Sequence, residues 1–80
     1  MNFSEALNVL NQGGVVRRAG WNGKGLSVRI IKPESADSGS MTLPFIALTY
    51  PVNSDVYPKG AKVPWLASQT DLLSEDWEQA

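Results

Sequence analysis

The chain has 80 residues, 42% of them hydrophobic, a formal net charge of −1, and neither cysteine nor histidine. That length sets one domain over residues 1–80, and the missing residue types exclude a disulfide framework and make a structural zinc site untenable. The near-zero charge argues against a binder of polymeric nucleic acid, which needs a clear basic excess.

A chain this short buries only about 60–65% of its unfolded surface, so its own core is marginal. With disulfide and zinc excluded, oligomerisation is the remaining common supplement, and a homo-oligomer is expected. Met1 to Leu10 lacks the basic start and continuous apolar run of a signal peptide. Nothing approaches the roughly 20 apolar residues of a membrane span. A soluble domain acting in the cytoplasm, away from membranes, is expected.

In chain order, Phe3, Ala6, Leu7 and Leu10 fall at i, i+3, i+4 and i+7 and predict an amphipathic helix with one buried stripe. Asn2 or Ser4 caps its start, and Gly13-Gly14 ends it. Val15 to Ala19 reads as a short strand, and Asn22-Gly23 is a hairpin signal leading to a second strand, Leu26 to Ile31, with alternating Leu26, Val28 and Ile30. Residues 33–40 are polar and serine-rich, which predicts a loop. Phe45 to Tyr50 is a third strand, and Pro51 to Gly60 a further loop that admits a short irregular strand at Val56-Tyr57. Lys62 to Ala67 is a fourth strand, which Pro64 assigns to an edge or a bulge. Ser68 caps a short helical turn with Asp71 three residues on. Leu72 and Leu73 are expected to pack inward, and Trp77 begins a last strand. The fold class is α+β, an N-terminal helix packed on a small antiparallel sheet.

Without histidine, the commonest general base and the Ser-His-Asp and Cys-His arrangements are unavailable. The glycines and lysine of Gly20 to Gly25 do not match the phosphate loop that ends in Gly-Lys-Ser/Thr. Binding is therefore expected rather than catalysis, with no cofactor and no metal.

Two polar clusters are centred on aromatic residues. The first runs from Arg17 through Arg18, Gly20, Trp21, Asn22, Gly23 and Lys24 to Gly25. A tryptophan in a glycine-rich turn either folds back onto the core or stacks on a base, the latter worth roughly 1–3 kcal/mol. Arginine, lysine and turn amides can hold a pyrophosphate. The second cluster contains Trp65, Ser68, Gln69, Thr70 and Asp71, whose polar groups suit a ribose hydroxyl or a base edge and suit equally the capping of the next turn. Tyr50 and Tyr57 are candidates for a pocket rim. Charge is also segregated: residues 13–32 carry Arg17, Arg18, Lys24, Arg29 and Lys32 without an acid, whereas Asp71, Glu75, Asp76 and Glu78 follow without a base. The two segments are either neighbours in the fold or across subunits, or the first forms a local basic pocket for a small anion.

With these clusters in view, the chain resembles the phage anti-Thoeris sequestering proteins. The likeness runs through Asn2 to Leu7, Val16-Arg17-Arg18-x-Gly20-Trp21-Asn22-Gly23-Lys24-Gly25, and Val63-Pro64-Trp65-x-Ala67-Ser68-Gln69-x-Asp71-x-Leu73-x-x-Asp76-Trp77. The resemblance implies a sponge that binds glycocyclic ADP-ribose, the Thoeris immune signal, without degrading it. It implies binding of cyclic oligonucleotides of CBASS defence at a different surface, and action in the cytoplasm of the infected bacterium. It further implies a homotetramer with ligand pockets at subunit interfaces near Trp21, Asn22, Gly23 and Lys24, with Arg18, Trp65, Ser68, Gln69 and Asp71 assigned more loosely. The rival readings are an enzyme that degrades the signal, a carbohydrate- or protein-interaction module, and a structural phage protein without a ligand.

Overall fold

The computed structural model describes residues 1–21, 25–32, 41–51 and 60–80. Of the two caps the sequence offers for helix α1 (Phe3–Asn11), Asn2 is the one used: the Glu5 amide donates to Asn2 Oδ1 at 2.9 Å and the Asn2 amide donates to Glu5 Oε1 at 3.0 Å, a reciprocal capping box that the sequence reading did not single out. It stops at Gly13, whose φ of +89° turns the chain out of the helix. The Gly13 and Gly14 amides then donate to the carbonyls of Leu10 and Val9.

Five strands follow among the described residues: β1 (Val16–Arg18), β2 (Ser27–Ile31), β3 (Phe45–Thr49), β4 (Lys62–Pro64) and β5 (Trp77–Gln79). They form one antiparallel sheet in the order β4-β3-β2-β1-β5. Together with α1 and the short helix α2 (Gln69–Leu73), the sheet makes an α+β fold. Pro64, which has no amide proton to give a ladder, sits on the edge strand β4, as expected. The hairpin expected at Asn22-Gly23, the loop of residues 33–40 and the strand considered at Val56-Tyr57 lie outside the described residues.

Register sets the core. Val16 faces Val28 across β1 and β2, and both are fully buried beneath Ala6 and Leu10 of α1, with Trp77 alongside. Trp77 is the hub of the aromatic packing, with ring centroids 5.3 Å from Phe3, 5.5 Å from Trp21 and 5.7 Å from Trp65. Such pairs contribute about 0.5–1.5 kcal/mol each beyond burial.

The apolar stripe of α1 differs from the predicted one at Leu7. Phe3, Ala6 and Leu10 face the core with Val9 packed beside them, while Leu7 lies on the flank and is exposed. The larger correction concerns α2, where Leu72 and Leu73 do not pack inward but are 44% and 80% exposed. Asp71 takes the inward position there: its carbonyl accepts from the Trp77 indole at 2.9 Å and its carboxylate meets Arg18. The next two residues are each rotated by roughly 100° around the helix and turn away from the core.

Candidate functional site

Strand β1 ends in a 3₁₀ turn over Ala19–Trp21, and that turn is clamped from outside. The Ala19 amide donates to the Asp76 carbonyl at 3.0 Å, and the Gly20 amide donates to Asp76 Oδ2 at 2.8 Å. A Cβ on Gly20 would lie 2.8 Å from that carboxylate oxygen, so the approach requires glycine. The turn delivers Trp21 against Trp77 in a T-shaped pair with an interplanar angle of 78°. The indole therefore does fold back onto the core. It also lines a cleft of about 230 Å³, together with Arg17, Arg18, Ala19, Gly25, Leu26 and Glu78.

The arginines of the cleft are held very differently. Arg18 engages two carboxylates through all three guanidinium nitrogens: Nε with Asp76 Oδ1 at 2.9 Å, Nη2 with Asp76 Oδ2 at 3.4 Å and Nη1 with Asp71 Oδ1 at 2.7 Å. The side chains of Arg18 and Asp71 are only 16% and 13% exposed. Asp71 is fixed in turn by the α2 capping box, in which its carboxylate accepts from the Ser68 amide at 3.2 Å and its own amide donates to Ser68 Oγ at 3.0 Å. Arg17, by contrast, meets Glu78 through Nε at 3.2 Å, with both side chains about half exposed.

These contacts set the charge states. Hydrogen bonds to Asp76 first, and then to Asp71, hold the Arg18 guanidinium above its ordinary value, against the opposing effect of burial. Partial burial pushes the Asp71 carboxyl up. The hydrogen bonds from Arg18 and Ser68 together outweigh it and leave the group below its ordinary 3.8. The Asp76 carboxyl lies below 3.8 chiefly through Arg18, aided by the Gly20 amide and opposed by desolvation.

Of the candidate residues read from the sequence, the structure brings Trp21 and Arg18 to the cleft and joins Arg18 to Ser68 and Asp71 through one network. Trp65 does not line the cleft but packs on Trp77 and Phe3, its ring 5.7 Å and 5.9 Å from theirs, and Gln69 is exposed at the first turn of α2. Asn22, Gly23 and Lys24 lie outside the described residues. Tyr50 is half-buried at the end of β3, and Tyr57 falls outside the described residues. Leu26, Asp76 and Glu78 belong to the cleft or its support although they lie outside the two polar clusters, and Arg17, which opens the first cluster, lines the cleft as well. The segregation of charge was their visible trace: Arg17 pairs with Glu78, and Arg18 with Asp71 and Asp76, so the basic and acidic segments are neighbours in the fold.

The arrangement is that of a small α+β domain presenting an aromatic wall and fixed charges. The Thoeris anti-defense 2-like domain family matches the chain across residues 1–80. Thoeris anti-defense 2 of Bacillus phage SP01 is 36% identical over 86 aligned positions, covering 98% of this chain and 92% of that protein. The chain belongs to the Thoeris anti-defense 2-like family. Among its described residues, no helix is long and apolar enough to cross a membrane.

Proposed function

We propose that this chain is a phage anti-Thoeris sponge, which binds glycocyclic ADP-ribose and withholds it from the host receptor without cleaving it. The observation that carries the reading is the cleft. A tryptophan and an exposed arginine lining one cleft meet the needs of a purine ring joined to a pyrophosphate, in a chain of the Thoeris anti-defense 2-like family. Sequestration is favoured over degradation because the chain contains no histidine or cysteine to serve as base or thiol nucleophile.

The working form is a homo-oligomer, a tetramer on the resemblance read from the sequence. Its support is apolar surface with no covering in one subunit: Leu66 is 92% exposed, Leu73 80% and Leu43 74%. Burying such side chains between copies supplements a marginal core.

The test is calorimetric titration with glycocyclic ADP-ribose, followed by heat denaturation and chromatography of the released ligand. Tight binding with the ligand recovered intact is expected. Recovery of an altered ligand would make the protein an enzyme. No binding would remove this ligand from the reading and make cyclic oligonucleotides the next to try.

A further inference from the structure

We infer that Arg17, not Arg18, is the cation that takes the ligand's phosphate groups, and that Glu78 is a built-in competitor which the ligand displaces. The inference rests on the proposed sponge function and deepens it. Both arginines line the cleft, but as successive residues of β1 they point to opposite faces of the sheet, Arg18 with Trp77 and Arg17 with Glu78. Their partners separate them further.

Arg18 is already bound by two carboxylates, one positive charge against two negative ones, and each of its three nitrogens has an acceptor. A phosphate approaching it meets repulsion from the Asp71 and Asp76 carboxylates, which already neutralise the guanidinium and hold three of its five N–H donors. Arg18 is accordingly a positioning residue. Arg17 faces Glu78 in the β1–β5 register and is held through Nε alone among the described residues. The edge between its two terminal nitrogens remains for bidentate recognition of a phosphate. An ion pair this exposed contributes little to the fold, so its exchange for a ligand anion leaves the domain intact. Glu78 keeps the empty cleft near neutral and repels anions that do not also engage Trp21.

The test compares wild type, Arg17→Gln, Glu78→Gln, the double variant and Arg29→Gln by calorimetry with glycocyclic ADP-ribose. Arg29 is exposed on β2 away from the cleft lining and controls for the loss of one positive charge. Melting curves and oligomer size are matched first. Arg17→Gln is expected to weaken binding by about ten- to a hundredfold, the loss of a charge-assisted contact. Glu78→Gln is expected to tighten it by about fivefold, and the double variant to behave as Arg17→Gln. Arg29→Gln stays within about twofold of wild type, because an exposed charge outside the cleft lining acts only through a field that salt screens.

Binding by wild type together with Arg17→Gln at full affinity, or with Arg17→Gln and Arg29→Gln equally weakened, overturns this inference and leaves the sponge reading intact. Weaker binding by Glu78→Gln also overturns it. Failure of wild type itself to bind removes glycocyclic ADP-ribose from the sponge reading and overturns this inference with it.

Discussion

Replacing Asp71 by asparagine tests the network that positions the Trp21 turn. The carboxylate serves two donors with separate oxygens, Arg18 Nη1 on Oδ1 and the Ser68 amide on Oδ2. An asparagine has one acceptor oxygen and presents an NH₂ group to the donor that loses its partner. If the oxygen stays with Ser68, the lost charge-assisted bond costs about 1.5–3 kcal/mol. If it stays with Arg18, the damaged cap costs about 0.5–2 kcal/mol, and the arginine still faces a weaker, neutral acceptor. The pair is neither fully buried nor exposed, at 16% and 13%, so the cost lies between the roughly 3–5 kcal/mol of a broken buried pair and the 0–1 kcal/mol of a surface pair. A loss of about 2 kcal/mol follows. At about 4–8 °C per kcal/mol for a domain of this size, the melting midpoint falls by about 8–16 °C.

The assay is thermal and urea unfolding followed by tryptophan fluorescence, with the protein concentration held constant because assembly shifts apparent stability. The pH dependence supplies an independent arm. Asp71 and Asp76 have carboxyls depressed below 3.8 in the folded state, so their contribution is fully present above that value. It is lost as pH falls through the lower folded values. The gap between wild type and Asp71→Asn is therefore constant around neutral pH and closes only below about pH 4. A loss under about 0.5 kcal/mol, as expected of a surface site, would refute the reasoning. So would a gap that closes between pH 5 and 7.

Three further outcomes are expected. Gly20→Ala places a Cβ against Asp76 Oδ2, an oxygen already held by Arg18, so the turn shifts, Trp21 fluorescence changes and ligand affinity falls; an unchanged spectrum and affinity would count against the clamp. Trp21→Ala abolishes ligand binding while the oligomer stays assembled, although the lost contact with Trp77 lowers the melting midpoint; full affinity in a folded variant would defeat the stacking role. Leu73→Glu, at a side chain 80% exposed in one subunit, lowers the oligomer mass in light scattering without unfolding the subunit, and an unchanged mass would move the proposed interface elsewhere.

Much of the fold was legible because its determinants are local. The Asn2 cap of α1 and the capping box of Ser68 with Asp71 each span three residues, and Gly13 and Pro64 mark a helix end and an edge strand by backbone chemistry alone. What the sequence left open depends on distant parts of the chain. An apolar residue in α2 does not say which way it points, and Asp71, drawn inward by Arg18 and Trp77, set the orientation that left Leu72 and Leu73 outside. The role of Arg18 depends on partners 53 and 58 residues away. From sequence its charge is compatible both with a phosphate and with a carboxylate, and only the segregation of basic and acidic residues hinted at the latter. Trp21 follows the first of its two readings, packed on Trp77 in the core, and also borders the cleft, where stacking on a base belongs to the proposed function.

The size of the cleft connects the two halves of the proposed function. A sponge that competes with a receptor needs a dissociation constant around nanomolar, about −12 kcal/mol. A cyclic ADP-ribose has about 35 non-hydrogen atoms, and at roughly −0.3 kcal/mol per atom it reaches about −11 kcal/mol. That efficiency presupposes burial of about 70–90% of the ligand, in pockets of about 300–1,000 Å³. The cleft formed by the described residues of one subunit measures about 230 Å³, below that range. A second copy completing the wall is part of the proposed function, and the leucines exposed on one subunit provide apolar surface for bringing it there. Binding and assembly are then linked reciprocally: a ligand that bridges two copies stabilises the oligomer by the same free energy with which assembly raises its affinity.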